Sequence, residues 1–403
     1  MQKKDKLTLA ALCTAHFVSD SYSSVIYPLL PLLKAKLALS SSQVFWLAPL
    51  LAISSSLMQP LYGFISDRYA RRFFAVFAPT ITAVFVSMIG LAPSYAMLIV
   101  LLVAGGVGIG SFHPQAAAMA AAASGKRRRV GMALFSAIGT LGFAVGPFVI
   151  TRVVDRFGLE HSYYVVVMGL VTSAALYRLC PPLEVAGRPA PGVPKIKWQL
   201  LAALRPAWKP LVLLYLITVI RSGIQITTNN YLPFLLRESG YGLTGTGNVI
   251  TVFLLLGGLG GLAGGIMAER VSGRAVTLYS GLFAGPLMVS AFMTGGWASI
   301  VLLGLGGFVL LSTLPVNVVM AQELVPGQTS TVSALMMGAA WGVGALTPPL
   351  LDTLAPGYGF RTKLIFVSAT TLLSAALAYF LPREEPHRRP VEADLATAAA
   401  AGD

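Results

Sequence analysis

The sequence predicts an all-α polytopic membrane protein, with twelve transmembrane helices arranged as two pseudo-symmetric bundles of six. Of its 403 residues, 56% are hydrophobic and 11% are charged, whereas a soluble domain carries about 25% charged residues. The apolar residues also occur in runs of roughly 20, the length needed to cross the hydrocarbon core of a bilayer. An internal repeat, at an offset near 201 positions, divides these runs into two sets of six.

Each apolar run is a candidate transmembrane helix. Glycine and proline occur within many of the runs, as is usual for membrane helices. The predicted spans are 8–33, 41–65, 73–92, 95–123, 130–152, 160–180, 210–236, 244–268, 275–294, 297–321, 329–353 and 361–382.

The distribution of Lys and Arg predicts the orientation. Twelve spans place both termini on one side, where 21 of the 29 basic residues lie, against 7 on the opposite side and Arg221 within a span. Because basic residues favour cytoplasmic loops, both termini are predicted to be cytoplasmic. The same bias accounts for the net charge of +14, so we expect no nucleic-acid partner.

The polar interruptions define the domain organisation. Residues 1–180 form the predicted N-terminal bundle, and residues 210–382 form the C-terminal bundle. Between them, residues 181–209 are rich in proline and basic residues, which is typical of a cytoplasmic linker. Residues 383–403 are charged and then rich in alanine, so we predict a disordered cytoplasmic tail.

Matching segments in the two bundles indicate duplication. "GFISDRYARR", which begins at Gly63, and "GIMAERVSGR", which begins at Gly265, share a glycine, an acid four residues later and then two arginines. "GGVGIGSFHP" ends at Pro114 and "GGFVLLSTLP" ends at Pro315, an offset of 201. A duplicated bundle of six helices is typical of transporters, whose binding site lies where the repeats meet.

The sequence resembles a known superfamily. "GFISDRYARR" is similar to the major facilitator signature Gly-x-x-x-Asp-Arg-x-Gly-Arg-Arg, with Ala70 in place of glycine. "AHFVSDSY", "GVGIGSFHP", "VIRSGIQ" and "AQELVPG" resemble the fosmidomycin-resistance-like branch, and the resemblance extends to about Pro382. It implies a proton-coupled antiporter of the bacterial inner membrane that exports a small, often anionic, antibiotic or metabolite. Gln115 and the partial antiporter signature "GFAVGPFVI" depart from the family pattern.

Polar side chains form a stripe on the first and on the seventh span. His16, Asp20, Ser23 and Tyr27 recur at helical spacing. A charge at the bilayer centre costs roughly 2.5–3.5 kcal/mol on insertion scales, so such residues face a partner or a watery cavity. Because the two spans are repeat equivalents, we expect both stripes to face one central cavity. The seventh span carries Thr218, Arg221, Gln225, Thr228 and Asn229.

These stripes provide the candidate transport site. Asp20, tuned by His16, is predicted to accept and release the coupling proton. Arg221 offers a planar cation to an anionic group. A structural Asp20–Arg221 ion pair is the alternative, and His16 and His113 are equally consistent with satisfied packing residues. The predicted substrate-binding residues are Arg221, Gln225, Tyr27, Asn229 and His113.

A second set of residues is predicted to gate the cavity. The resemblance implies that Asp67 braces the start of the eleventh span, and Glu269 would brace the fifth span by symmetry. An acid at a helix N-terminus gains up to about 1 kcal/mol. Pro114 would kink the fourth span, although packing explains it equally well. The predicted gating residues are Gly63, Asp67, Arg68, Arg71, Arg72, Glu269, Arg270 and Pro114.

Other classes of function fit the sequence less well. We predict no enzyme, metal site or cofactor, because the chain has no metal-binding or catalytic motif. The expected partners are a small-molecule substrate, protons and the lipid bilayer, and a monomer is expected because one chain holds both halves. An importer of an organic anion and a non-transporting membrane sensor or scaffold are the alternatives.

Overall fold

The computed structural model describes residues 3–59, 61–62, 71–180, 205–325 and 329–383. Within these ranges the chain is helical, with short connections and no strand. Most of the predicted linker and almost all of the predicted tail, residues 181–204 and 384–403, lie outside the described residues. The prediction of an all-α protein is confirmed.

Seven α-helices are described in the N-terminal half. The first predicted span consists of two helices separated by Val25, and the second runs from an α-helix into a π-helical turn, Ile53–Leu57. The helices are α1 (Lys3–Ser24), α2 (Ile26–Lys36), α3 (Ser41–Ala52), α4 (Arg71–Ser87), α5 (Tyr95–Ser124), α6 (Arg128–Phe157) and α7 (Val166–Leu179).

The C-terminal half follows the same order with more interruptions. Its eleventh predicted span contains a second π-helical turn, Ala334–Ala339. The described helices are α8 (Trp208–Glu238), α9 (Leu243–Arg270), α10 (Gly273–Met293), α11 (Gly296–Leu311), α12 (Leu314–Leu324), α13 (Thr329–Ser333), α14 (Ala340–Gly344), α15 (Thr347–Leu354), α16 (Phe360–Ala369) and α17 (Thr371–Tyr379).

Ten helical stretches in the described part of the chain are long and apolar enough to cross a membrane. They coincide with the third to twelfth predicted spans. The first two predicted spans are also helical, but they are interrupted at Val25 and at the π-helical turn. The multi-pass architecture is therefore confirmed, and the count of twelve remains a prediction.

The repeated prolines have different structural effects in the two halves. Helix α5 continues through Pro114 without interruption. At the equivalent place, Pro315 lies in the first turn of α12, and the chain breaks between α11 and α12 at Ser312 and Thr313. Since the last carbonyls of a helix have no partner within it, this break leaves backbone acceptors of α11 free for a side chain.

Glycines bring neighbouring helices into close contact, as expected for membrane bundles. A Cβ atom built on Gly108 of α5 would lie 2.5 Å from Thr82 Oγ1 of α4. A Cβ atom on Gly307 of α11 would lie 2.8 Å from the carbonyl oxygen of Phe253 in α9. Larger side chains at these positions would separate the helices, so the small residues determine the spacing.

The two halves contact each other mainly through α6 and α9. Near one end of this seam, Arg152 Nη1 donates to Asn248 Oδ1 over 3.2 Å, and Thr244 Oγ1 donates to Asp155 Oδ2 over 3.0 Å. We refer to the pair α6 and α9 as the seam.

An aromatic cluster joins the halves at the end of the bundle that carries the connections 37–40, 239–242 and 355–359, called here the distal end. The Phe45 ring of α3 lies 4.5 Å from the Tyr231 ring, 5.5 Å from the Phe234 ring and 6.0 Å from the Phe360 ring, centroid to centroid. The three partners belong to the C-terminal half, so this cluster holds the halves together at the distal end.

Candidate functional site

The predicted stripe on the first span brings its two ionisable residues into contact. His16 and Asp20 lie one turn apart on α1, and His16 Nε2 is 3.2 Å from Asp20 Oδ2. Side chains at positions i and i+4 share a helix face, which explains the contact from the sequence alone. Their side chains are 11% and 18% exposed, so Asp20 retains access to space outside the packed bundle.

A third ionisable group reaches the same carboxylate from another helix. His113 Nε2 of α5 is 3.4 Å from Asp20 Oδ1. The rings of His113 and His16 stand edge to face, with centroids 5.1 Å apart. Each carboxylate oxygen therefore has its own imidazole. We call His16, Asp20 and His113 the triad.

The protonation of the triad follows from the partners of His16. Its Nδ1 atom lies 2.8 Å from the backbone carbonyl oxygen of Phe135 in α6. A carbonyl oxygen can only accept, so Nδ1 carries the hydrogen. The contact between Nε2 and Asp20 then requires one further proton, on either atom. The geometry therefore describes a site that holds one exchangeable proton between His16 and Asp20.

The triad has the dimensions of a small cation site. One ligand atom from each of its residues lies within 4.8 Å of the others, and no other such group occurs in the part of the chain that the structure describes. Nitrogen and carboxylate atoms bind protons and transition-metal ions alike. Metal binding must therefore be measured beside proton binding in any test of this site.

Arg221 occupies surroundings that the sequence did not predict. Its side chain is 1% exposed. Nη1 donates to Ser280 Oγ and to the carbonyl oxygen of Leu310, each over 2.8 Å, and Nη2 donates to the carbonyl oxygen of Thr277 over 3.1 Å. These partners belong to α10 and α11 of the same half. The role of Arg221 in a cavity shared with Asp20 stays a prediction, because in this conformation its hydrogen-bond partners all lie in its own half.

The break before Pro315 explains one of these contacts. Leu310 lies in the last turn of α11, where backbone carbonyls lack helical partners. A neighbouring network continues through Thr277 Oγ1, which donates to Asn317 Oδ1 over 3.0 Å. The guanidinium is thus held among neutral oxygens, while its Nε atom has no hydrogen-bond partner.

The remaining predicted substrate residues lie around α8. Gln225 and Asn229 are 3% and 0% exposed. Gln225 Oε1 has no hydrogen-bond partner, whereas the Asn229 side chain lies beside the Tyr27 hydroxyl. Tyr27 of α2 is 5% exposed and packs edge to face against Phe143. A buried amide without a partner costs about 1–3 kcal/mol, so α8 carries unused hydrogen-bonding capacity where a polar ligand or water would be stabilised.

The predicted gating residues are only partly described. Gly63, Asp67 and Arg68 lie outside the described residues, and Arg71 and Arg72 begin α4 without described side chains. Glu269 and Arg270 are exposed at the end of α9. Pro114 lies inside the continuous helix α5.

Three important positions were not predicted from the sequence. Phe135 supplies a backbone acceptor, which no side-chain pattern can reveal. Gly139 packs against the His16 ring, and its spacing from Gly142 and Gly146 could have indicated a close helix contact. Phe45 resembles any other apolar residue until the C-terminal half is placed against it.

The paired helical bundles and the polar site between packed helices define a multi-pass membrane transporter. The family model described as Major Facilitator Superfamily matches residues 12–345 and, in a second match, residues 214–401. The chain belongs to the Major Facilitator Superfamily, and like its relatives it is not an enzyme.

Individual relatives agree with this assignment. The chain is 27% identical over 393 residues to the uncharacterized MFS-type transporter YfnC of Bacillus subtilis, covering 95% of this chain and 94% of the relative. It is 26% identical over 379 residues to the fosmidomycin resistance protein of Escherichia coli, covering 93% and 92%. A bacterial homolog of the human lysosomal transporter Spinster, in an inward-facing and unoccupied conformation, superposes with a TM-score of 0.72 at 17% identity, over 94% of this chain and 95% of that chain.

Proposed function

We propose that this chain is a proton-coupled antiporter that exports a small antibiotic or metabolite by alternating access, with the triad as its proton site. The observation that carries the proposal is the His16–Asp20 contact, which supports one exchangeable proton shared between the His16 ring and a partly accessible carboxylate. An ionisable group within a membrane span is retained at a cost of a few kcal/mol, roughly 2.5–3.5 on insertion scales, and usually has a role in transport.

The proposed cycle is a rocking of residues 1–180 against residues 210–382. We infer that the aromatic cluster around Phe45 closes the distal end and that Asp20 is reached from the opposite end, where α1 begins and α17 ends. With both termini in the cytoplasm of a bacterial inner membrane, this conformation would be inward-open. One chain supplies both halves, and we propose that it acts as a monomer.

The substrate site lies between α2 and α8 in this proposal. Gln225 supplies an unpartnered amide oxygen, and Asn229 faces Tyr27 across the interface. Arg221 would attract an anionic substrate through its unpartnered Nε–H, provided that the halves rearrange to expose it. The name of the fosmidomycin resistance protein makes fosmidomycin the first compound to test.

Proteoliposomes holding a pH-sensitive dye provide the test. Adding fosmidomycin, or another compound from a panel of phosphonates and antibiotics, on the substrate-loading side should release protons from vesicles containing the parent protein. Asp20→Asn should reduce this flux at least a hundredfold, because an amide cannot exchange the proton. Glu160→Gln is the matched control, since the Glu160 side chain is 62% exposed and distant in sequence from the triad.

Each outcome has a definite meaning. Proton flux in the opposite direction would indicate an importer, and absence of flux across the whole panel would favour a sensor or scaffold. Flux that persists in Asp20→Asn would exclude the triad as the proton site. Zinc titration of the same preparations shows whether the triad holds a metal ion instead of a proton.

A further inference from the structure

His16 is bonded at both of its ring nitrogens, and the two bonds lead to different helices. Nε2 contacts Asp20 on its own helix, and Nδ1 donates to the Phe135 carbonyl oxygen of α6. The His16 and Phe135 rings also stack, with centroids 4.1 Å apart. His16 is therefore a bridge between the proton site and α6.

Gly139 makes this bridge sterically feasible. The Phe135 carbonyl lies inside α6, where the amide of residue 139 is its helical partner. A side chain at position i+4 leans back over the carbonyl of residue i. A Cβ atom on Gly139 would lie 2.6 Å from His16 Nδ1, so any larger residue would exclude the ring from the carbonyl.

The other side of α6 belongs to the seam. Thr140, the residue after Gly139, faces Gly258 of α9, where a Cβ atom would lie 2.8 Å from the Thr140 methyl group. Further along α6, Arg152 bonds to Asn248. A shift of α6 relative to α1 therefore reaches the C-terminal half directly, through one continuous helix.

We infer that His16 transmits the protonation state of Asp20 to α6 and hence to the seam, with Gly139 and the Phe135 carbonyl as its positioning groups. This inference rests on the proposed proton-coupled function. With the exchangeable proton present, His16 and Asp20 together have enough hydrogens for both contacts of the ring, and α1 is joined to α6.

Loss of that single proton to the solvent or the exit pathway leaves one N–H for two acceptors. Asp20 is then a carboxylate, and a charge-assisted hydrogen bond to a carboxylate is about twice as strong as one to a neutral carbonyl. The ring turns its N–H to Asp20 and releases the Phe135 carbonyl. Deprotonation thus removes the His16 hydrogen bond between α1 and α6, and protonation restores it, while the Ser21–Gly142 hydrogen bond keeps the two helices packed.

Few other charges act on His16. Among the described side chains, Asp20 faces it from α1 and His113 from α5, while α6 presents a carbonyl and a glycine. The arginines of the other helices packed on α1 lie at the ends of those helices, namely Arg71 and Arg72 of α4 and Arg178 of α7.

Two amide substitutions separate the two bonds of His16. The side-chain amide of asparagine occupies roughly the place of Nδ1, and that of glutamine the place of Nε2. His16→Asn keeps a donor for Phe135 and loses the contact with Asp20, whereas His16→Gln does the reverse. If His16 only anchors α1 to α6, His16→Asn should behave like the parent. If His16 transmits the protonation state of Asp20, both variants should lose the pH-dependent movement between the two halves.

The measurement is the distance between spin labels on cysteines replacing Phe157 and Glu238, both exposed, in the full chain in nanodiscs as the pH is varied. The parent distance should change with pH. We expect His16→Asn and His16→Gln to abolish the change and to reduce coupled transport at least tenfold. Gly139→Ala should have the same effect, and His161→Asn and Gly261→Ala should resemble the parent, because a Cβ atom on Gly261 meets only ordinary contacts at 3.6 Å.

The outcomes distinguish this inference from the proposed function. A pH-dependent distance in His16→Asn, with coupled transport near the parent rate, would overturn the link while leaving the antiporter intact. Absence of proton flux in the parent itself would overturn the proposed function, and the inference with it. If Gly139→Ala loses transport but the label distance still changes with pH as in the parent, Gly139 has only a packing role.

Discussion

Asp20 and Arg221 occupy equivalent positions in the two repeats, yet the fold gives them opposite surroundings. Each contacts the fourth predicted span of its own half, Asp20 through His113 in α5 and Arg221 through the Leu310 carbonyl in α11. Asp20 meets titratable side chains and is 18% exposed, whereas Arg221 meets neutral oxygens and is 1% exposed. Duplication thus preserved the position of a buried charge, and neighbouring residues decided whether it could exchange a proton.

The prolines account for part of this difference. Pro114 leaves α5 continuous, and His113 projects from an intact helix. Pro315 follows a break that exposes the final carbonyls of α11, which Arg221 then satisfies. The N-terminal half therefore presents the His113 side chain to Asp20, and the C-terminal half presents the Leu310 backbone carbonyl to Arg221.

The largest expected effect concerns the buried Arg221 in the C-terminal half. Arg221→Gln should lower the free energy of unfolding by several kcal/mol, because it removes three hydrogen bonds from a charged donor, and each such bond contributes about 1.5–3 kcal/mol. Asp20→Asn should leave the thermal midpoint close to that of the parent while abolishing proton flux. Thermal unfolding followed by fluorescence-detected size-exclusion chromatography compares the two variants directly. Equal losses of stability in Arg221→Gln and Asp20→Asn would contradict the different surroundings assigned to the two charges.

A smaller effect is expected at the third member of the triad. His113→Asn removes one of the two imidazoles that contact Asp20. His16 remains, so the number of protons moved per substrate should not change, and the transport rate should fall about tenfold, within the range usual for one proton-transfer group. Initial rates and proton stoichiometry in proteoliposomes separate these quantities. A changed stoichiometry would show that His113 carries a proton of its own.

The smallest effect sharpens the account of Arg221. Ser280→Ala removes one of its three hydrogen-bond acceptors, and one such bond contributes about 1 kcal/mol net. We expect a modest fall in the thermal midpoint and parent-like coupled transport. A transport defect without a stability defect would instead assign the Ser280–Arg221 contact to the transport cycle.

Residue spacing predicted some of these features well. Hydropathy located ten helices within a few residues of their observed positions. The four-residue spacing of His16 and Asp20 predicted their contact, because it depends only on helix geometry. The polar residues of α8 do lie on one helical stripe, as predicted. The spacing along one helix does not determine which neighbouring helix that stripe faces.

By itself, the sequence determined the membrane class, the duplicated order of helices and the presence of charges within spans, because hydropathy and local spacing are properties of single segments. Only the tertiary structure decided that His113 and the Phe135 carbonyl meet the Asp20 site and that Arg221 is enclosed. The physical reason is that these contacts join residues 56 to 119 positions apart, and helix rotation and close glycine packing select them from many alternatives of similar hydrophobicity.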